Sequence, residues 1–431
     1  MAAAGATLAA TKWTIDSELR RHWLRPVELP DPCFYLHEES VDPGTAITVA
    51  HHATNRGAVS IARLGVSLEP ALVNVDLPAQ VSSPTLDHWD GFDWETTEIP
   101  VPSDARPGLY LVELRTGERF YRQLLIVRST KPAAVGVVLS TITWHAYNDF
   151  GGFSNYRDSV TPHPLRELRN VALTLNWRLR VGDRHHLPSV PLPLRRPNKA
   201  LADDLVDLEA DPRQPFSRRA RSGWALVRFL ERSGVDVAVF GEQDLASHPL
   251  VDSCGSLVIG PHAEYWSTVM KGRMVAFAEG GKPVVFVSGN SLYREVRVDD
   301  RRVEVVDDRI DPRAAEELLG VSYTSEGYET FAPFRCVRPD HPLFAGTGVG
   351  LGDVFAGESD QGASGFETDK IGPASGPVEL LAIGTNPSGP AYLTVRRTPA
   401  GGSIVHFSSV ATAPWLEHDP TLGAIVLNAI A

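Results

Sequence analysis

Four short, almost wholly apolar runs recur in the middle of the chain: AVGVVLS at 134–140, VDVAVF at 235–240, GSLVIG at 255–260 and PVVFVS at 283–288. A strand with one wet face alternates apolar and polar residues, so runs without alternation must be covered on both faces, as parallel strands are. Helical stretches fall between them. Trp224 to Ser233 is closed by Gly234, and Trp266 to Glu279 is closed by Gly280 and Gly281, each followed directly by a strand. SIVHFSS at 403–409 and the helical pattern from Leu422 to Ile430 add a further strand and a closing helix. The expectation is a Rossmann-like α/β fold built of β-α-β units on a parallel sheet.

The first part of the chain reads differently. TAITVA at 45–50, LYLVELR at 109–115 and FYRQLLIV at 120–127 are short alternating segments separated by Pro and Gly turns, which predicts a small antiparallel β-sandwich of immunoglobulin-like type. With 431 residues the chain is long for one core. The expected division is a β-sandwich domain over 1–130 and an α/β catalytic domain over 131–431, interrupted by an insertion at 157–222. That insertion, with VPLPLRRPNK and DPRQPFSRRARS, is long enough to be a lid or a disordered segment. Its arginine run reads as a solvated face, and residues 298–312 as a charged, solvated hairpin or loop.

A net charge of −12 supplies no global positive field to draw nucleic acid or an anionic membrane surface, so neither is expected as a partner. Three cysteines, Cys33, Cys254 and Cys336, fit neither a disulfide framework nor a Cys-rich zinc site. The N-terminus lacks a basic region and a sustained apolar core, and no apolar run reaches about 18 residues. The expected location is the cytoplasm. GxGxxG, P-loop, GxSxG and HExxH motifs are all missing, which removes the usual support for nucleotide and serine-hydrolase chemistry.

What remains is a set of polar loops after strands. LVIGPHAEYWS places His262 and Glu264 two residues apart beyond a buried strand, where an extended backbone puts both on one face. TWHAYNDFGGFSNY at 143–156 follows the first strand, and VSGNSLY at 287–293 aims Asn290 from the next. Each alone is compatible with ordinary packing. Together they converge on the carboxyl ends of the strands, where open α/β sheets bind ligands.

These segments resemble the large (beta) subunit of N,N-dimethylformamidase, in its C-terminal catalytic region. The likeness runs in order through TWHAYNDFGG, FLERSGVDVAVFGEQDL, GPHAEYWS, VSGNSLY and GFETDK, over about 105–431. The resemblance implies a class I glutamine amidotransferase-like catalytic fold preceded by β domains, and one non-haem iron, as Fe3+, held by two tyrosinates and a glutamate. It puts one tyrosine on Tyr147 and the glutamate on Glu264. The other tyrosine falls on Tyr110 in ARPGLYLVEL, with Tyr121 and Tyr156 as alternatives. It further implies catalytic roles for His262, Asn290 and Glu367.

The implied function is hydrolysis of the C–N bond of a small formamide-type amide by metal-activated water. The alternative is a non-catalytic amidotransferase-like module that binds a carbohydrate or a protein partner. Phenolate and carboxylate are hard oxygen donors suited to oxidised iron, and imidazole suits a general base. Trp144, Phe150 and Phe153 would wall the pocket. Pro261 before the histidine, the 157–222 insertion and the short N-terminal region depart from the family pattern. A homo-oligomer and a small subunit stay open as partners.

Overall fold

Alternation along the N-terminal segments buries one side of each strand. The computed structural model describes residues 28–83, 91–152, 154–156, 189, 191–307 and 310–431. Cys33–Leu36 (β1), Ala46–His52 (β2) and Thr96–Pro100 (β5) form an antiparallel sheet in the order β1-β2-β5. Gly57–Leu64 (β3), Leu68–Leu77 (β4), Gly108–Thr116 (β6) and Arg119–Val127 (β7) form a second, in the order β7-β6-β3-β4, with the two-residue strand Ser40–Val41 beside β7. Phe34, Ile47 and Val49 from the first sheet and Ile61, Val112 and Leu125 from the second fill a shared apolar core.

The central sheet holds Val135–Leu139 (β8), Val237–Gly241 (β9), Ser256–Gly260 (β10), Pro283–Phe286 (β11), Phe334–Cys336 (β12), Glu379–Gly384 (β13), Tyr392–Arg397 (β14) and Ser403–His406 (β15). Their order is β9-β8-β10-β11-β15-β14-β13-β12, ending on Val354–Phe355. Pairing is parallel from β9 to β15 and antiparallel from β15 to β12. Val137 contributes to the core beneath Ala220–Arg232 (α2) and Pro420–Ile430 (α4), and Val138 to the core beneath Thr268–Glu279 (α3). Both faces are dry, which is why the strands read as unbroken apolar runs.

The expectation of a Rossmann-like α/β fold is corrected by this structure. Among the described residues the chain is β-rich, 35% strand against 20% helix, with many small mixed and antiparallel sheets. The apolar runs report burial on both faces, and burial does not specify that every neighbour runs parallel. Antiparallel strands complete the central sheet, and much of 294–370 is short strand pairs set by turns, too short to leave a period in the sequence.

Of the insertion, 157–188 and residue 190 lie outside the described residues, as does Phe153. The described part is no solvated face. Arg196 is buried and donates to the carbonyls of Asn148 and Phe150, and Arg221 is buried beside Asp204. The charged excursion is a hairpin of Arg294–Val298 with Arg302–Val305, and its Val296 and Val303 are buried.

Candidate active site

The parallel strands end at one rim, and the loops leaving that rim are fixed by hydroxyl groups. Ser140, at the end of β8, accepts the amide N–H of His262, while Ser288, after β11, accepts that of Ala263. Thr143 in the short helix Thr141–Ala146 (α1) accepts both Glu264 and Tyr265 N–H. The loop after β10 is thus pinned from two neighbouring strands. Asn290 adopts φ +52°, a left-handed conformation uncommon outside glycine. Asp369 holds it there by accepting the N–H groups of Asn290 (2.8 Å) and Ser291 (3.3 Å). Gly289 has to be glycine, because a Cβ there would stand 2.4 Å from the Glu367 carbonyl oxygen.

Glu264 is completely buried, and each of its oxygens accepts from a phenol: Oε2 from Tyr147 at 2.8 Å and Oε1 from Tyr156 at 2.6 Å. The two phenol rings stack with centroids 4.2 Å apart. Burial, reinforced by the negative Glu264, pushes both hydroxyls well above the usual tyrosine range.

His262 Nε2 lies 3.3 Å from Glu264 Oε2 and 2.9 Å from Glu367 Oε2. It is buried without a hydrogen bond of good geometry to either, so it is near two carboxylates yet committed to neither. Donor atoms of His262, Glu264 and Glu367 all lie within 4.8 Å of one another. Glu367 is further bound by Arg218 Nη1 at 2.8 Å and Asn290 Nδ2 at 2.8 Å. Burial pushes its carboxyl up, but the neighbouring His262 and Arg218 and the hydrogen bond from Asn290 outweigh that and hold it down at about 2. Asn290 Oδ1 is buried and has no hydrogen-bond partner among the described residues.

A model of the family "N,N-dimethylformamidase beta subunit-like, C-terminal" matches residues 59–418, most of the chain. The chain belongs to this family. Within the matched span lie all six residues singled out from the sequence. No curated protein matches the chain. A solved carbohydrate acetylesterase from Xanthomonas citri aligns over 72% of this chain and 87% of its own, with 9% identity and a TM-score of 0.16, too low to carry an argument about fold or function.

As a member of the N,N-dimethylformamidase beta subunit-like family, the chain brings Tyr147, His262, Glu264, Asn290 and Glu367 into one cluster. Tyr110 is not in it. It lies in the N-terminal β core, its hydroxyl donating to the Arg106 carbonyl at 2.6 Å. Tyr121 belongs to the same core. Tyr156 stands at Glu264 instead, because the Gly151-Gly152 turn, with both φ positive, returns the chain after α1 toward that carboxylate. Trp144 packs in the main core, and Phe150 edges against Phe92 of the β region, so neither walls the site. Arg218 was missed, since nothing in an arginine-rich stretch marks which arginine meets a carboxylate about 150 residues away.

Proposed function

We propose that this chain is a hydrolase of linear amides that holds one iron ion through Tyr147, Tyr156 and Glu264. The observation that carries the reading is a fully buried carboxylate clamped by two phenols beside a histidine nitrogen that lacks a hydrogen bond. Such a set of ionisable groups is costly to bury. It fits a cation, since two phenolates and a carboxylate are hard anionic donors that nearly neutralise a ferric ion. When bound, that ion supplies Lewis acidity toward an amide carbonyl or a water molecule.

The other residues handle protons and position. His262 takes a proton from the attacking water and returns it to the departing nitrogen. The water oxygen bonds to the carbonyl carbon, the C–N bond breaks, and a carboxylic acid and an amine leave. Glu367, 2.9 Å from His262 Nε2 and fixed by Arg218 and Asn290, stabilises the imidazolium that forms when His262 takes the proton. One hydrogen of Asn290 Nδ2 engages Glu367, leaving the second for the carbonyl oxygen, while Oδ1 accepts a hydrogen bond from the water. Tyr110 has no part in this ligand set.

The test is metal content, colour and turnover in one preparation. Purified protein is expected to carry about one iron per chain, to absorb in the visible through tyrosinate-to-iron charge transfer, and to release amine from N-substituted formamides. A protein that stays colourless and inert after iron is supplied would falsify the reading.

A further inference from the structure

Two consecutive arginines at the start of α2 meet different fates at the site. The Arg218 guanidinium lies 4.4 Å from the Tyr147 ring centroid and 4.5 Å from that of Phe366, and its charge is met by Glu367. The Arg219 guanidinium lies 5.8 Å from the same Tyr147 ring, on the phenol that clamps Glu264. Yet no carboxylate among the described residues stands within ion-pair distance of it, and its buried Nε has no hydrogen-bond partner. The nearby acid that might have served, Asp204, is engaged by Arg221, Ser217 and the Arg221 backbone N–H.

A half-buried guanidinium whose Nε is sealed from water and which lacks a counter-ion among the described residues is unfavourable, and it becomes favourable when an anion arrives. Arginine also presents a planar fork of donors that matches a carboxylate and is always charged. The chain as a whole carries −12, so this positive charge is a local feature of the site and no part of a general basic surface.

We infer that the site takes an amide bearing a carboxylate, with Arg219 binding that carboxylate while the amide carbonyl lies toward Glu264 and His262. The inference rests on the amide-hydrolase reading for the nature of the bond cleaved, and it adds the charge of the substrate. A short N-acyl amino acid has both features. Arg219 is thus a specificity-determining residue, and the neutral formamides are minimal substrates that leave it unused.

The experiment compares two molecules of similar size, N-formylglycine and N-ethylformamide, with the iron-loaded wild type, Arg219→Gln and Arg219→Lys. Both kcat/KM and direct binding by calorimetry are read, and circular dichroism checks folding. Wild type is expected to favour N-formylglycine by about ten- to a hundredfold, the worth of a hydrogen-bonded charge pair. Arg219→Gln is expected to erase that ratio mainly through KM, and Arg219→Lys to restore part of it. Turnover of both molecules with equal kcat/KM, or a preference that survives in Arg219→Gln, overturns the inference and leaves the amidase reading standing. Arg219-dependent binding of N-formylglycine without hydrolysis of either molecule sinks the amidase reading and keeps the anion site. Absence of both binding and turnover overturns the inference as well. Should Arg219→Gln fail to fold, the Lys variant decides, since it keeps the charge but loses the fork.

Discussion

Tyrosines occur in the buried core of the N-terminal β region and, half-buried, in the loops at the rim of the central sheet, and the two settings treat the same side chain differently. Tyr110 and Tyr35 are buried in the β core, each hydroxyl donating to one backbone carbonyl, of Arg106 and Phe92 respectively. That is the ordinary way to satisfy a phenol in a core: one donor, one neutral acceptor, and the ring in apolar contact. At the rim, Tyr147 and Tyr156 donate instead to the same buried carboxylate, next to a histidine and a second carboxylate. Stability alone does not call for such an arrangement, since apolar residues of similar volume fill a core at lower cost.

The largest expected effect tests the chemical side of that contrast. His262→Gln keeps a polar side chain of related size but removes the basic nitrogen that would take up a proton, and amide turnover is expected to fall by about 10²- to 10⁴-fold. A loss below tenfold, measured as kcat with iron content unchanged, would assign His262 to structure. Asn290→Ala comes next. Removing the amide takes away the proposed donor to the developing oxyanion and one of the bonds holding Glu367, and kcat is expected to drop by about 10²- to 10³-fold. If KM rises while kcat holds, Asn290 binds substrate without acting on the transition state.

Much of this site could be read in the sequence, and what could not has a physical cause. His262, Glu264 and Asn290 were legible because each follows a strand whose apolar run is unmistakable, and strand ends bring sequence-distant loops together. Tyr156 was ambiguous because its position depends on the turn through Gly151 and Gly152, whose positive φ angles no periodicity reveals. Arg218 and Arg219 were illegible because a charge run carries no record of which members are solvated. The fold class was misjudged for a related reason. Apolar runs marked β8 to β11 correctly as buried strands, but the antiparallel strands β12 to β14 and the short pairs between 294 and 370 dominate the balance of structure. No described helix is long and apolar enough to cross a membrane.

The remaining predictions turn on the tyrosines themselves. Tyr147→Phe and Tyr156→Phe each delete a proposed ligand oxygen while keeping the ring, so the Tyr147–Tyr156 stack persists and folding is retained. Iron affinity is expected to fall by at least about ten- to a hundredfold, the size produced even by residues one step removed from a metal. The visible band should weaken in both variants and shift as one phenolate is lost. An unchanged spectrum in Tyr156→Phe would exclude it from the ligand set and return attention to Tyr110.

Tyr110→Phe is the complementary experiment and carries the smallest effect. Its ring stays buried in the β core, so the apolar contribution is retained, and the change removes one hydrogen bond to the Arg106 carbonyl. The expected cost is about 0.5–1.5 kcal/mol in unfolding free energy, read from denaturant titration. Iron content, the visible spectrum and kcat should match the wild type, because no described contact links Tyr110 to Glu264. Loss of iron in Tyr110→Phe, with folding intact, would collapse the distinction between the two regions. The β region would then supply part of the metal site, and the separation of Tyr110 from Glu264 would have to close in the loaded enzyme.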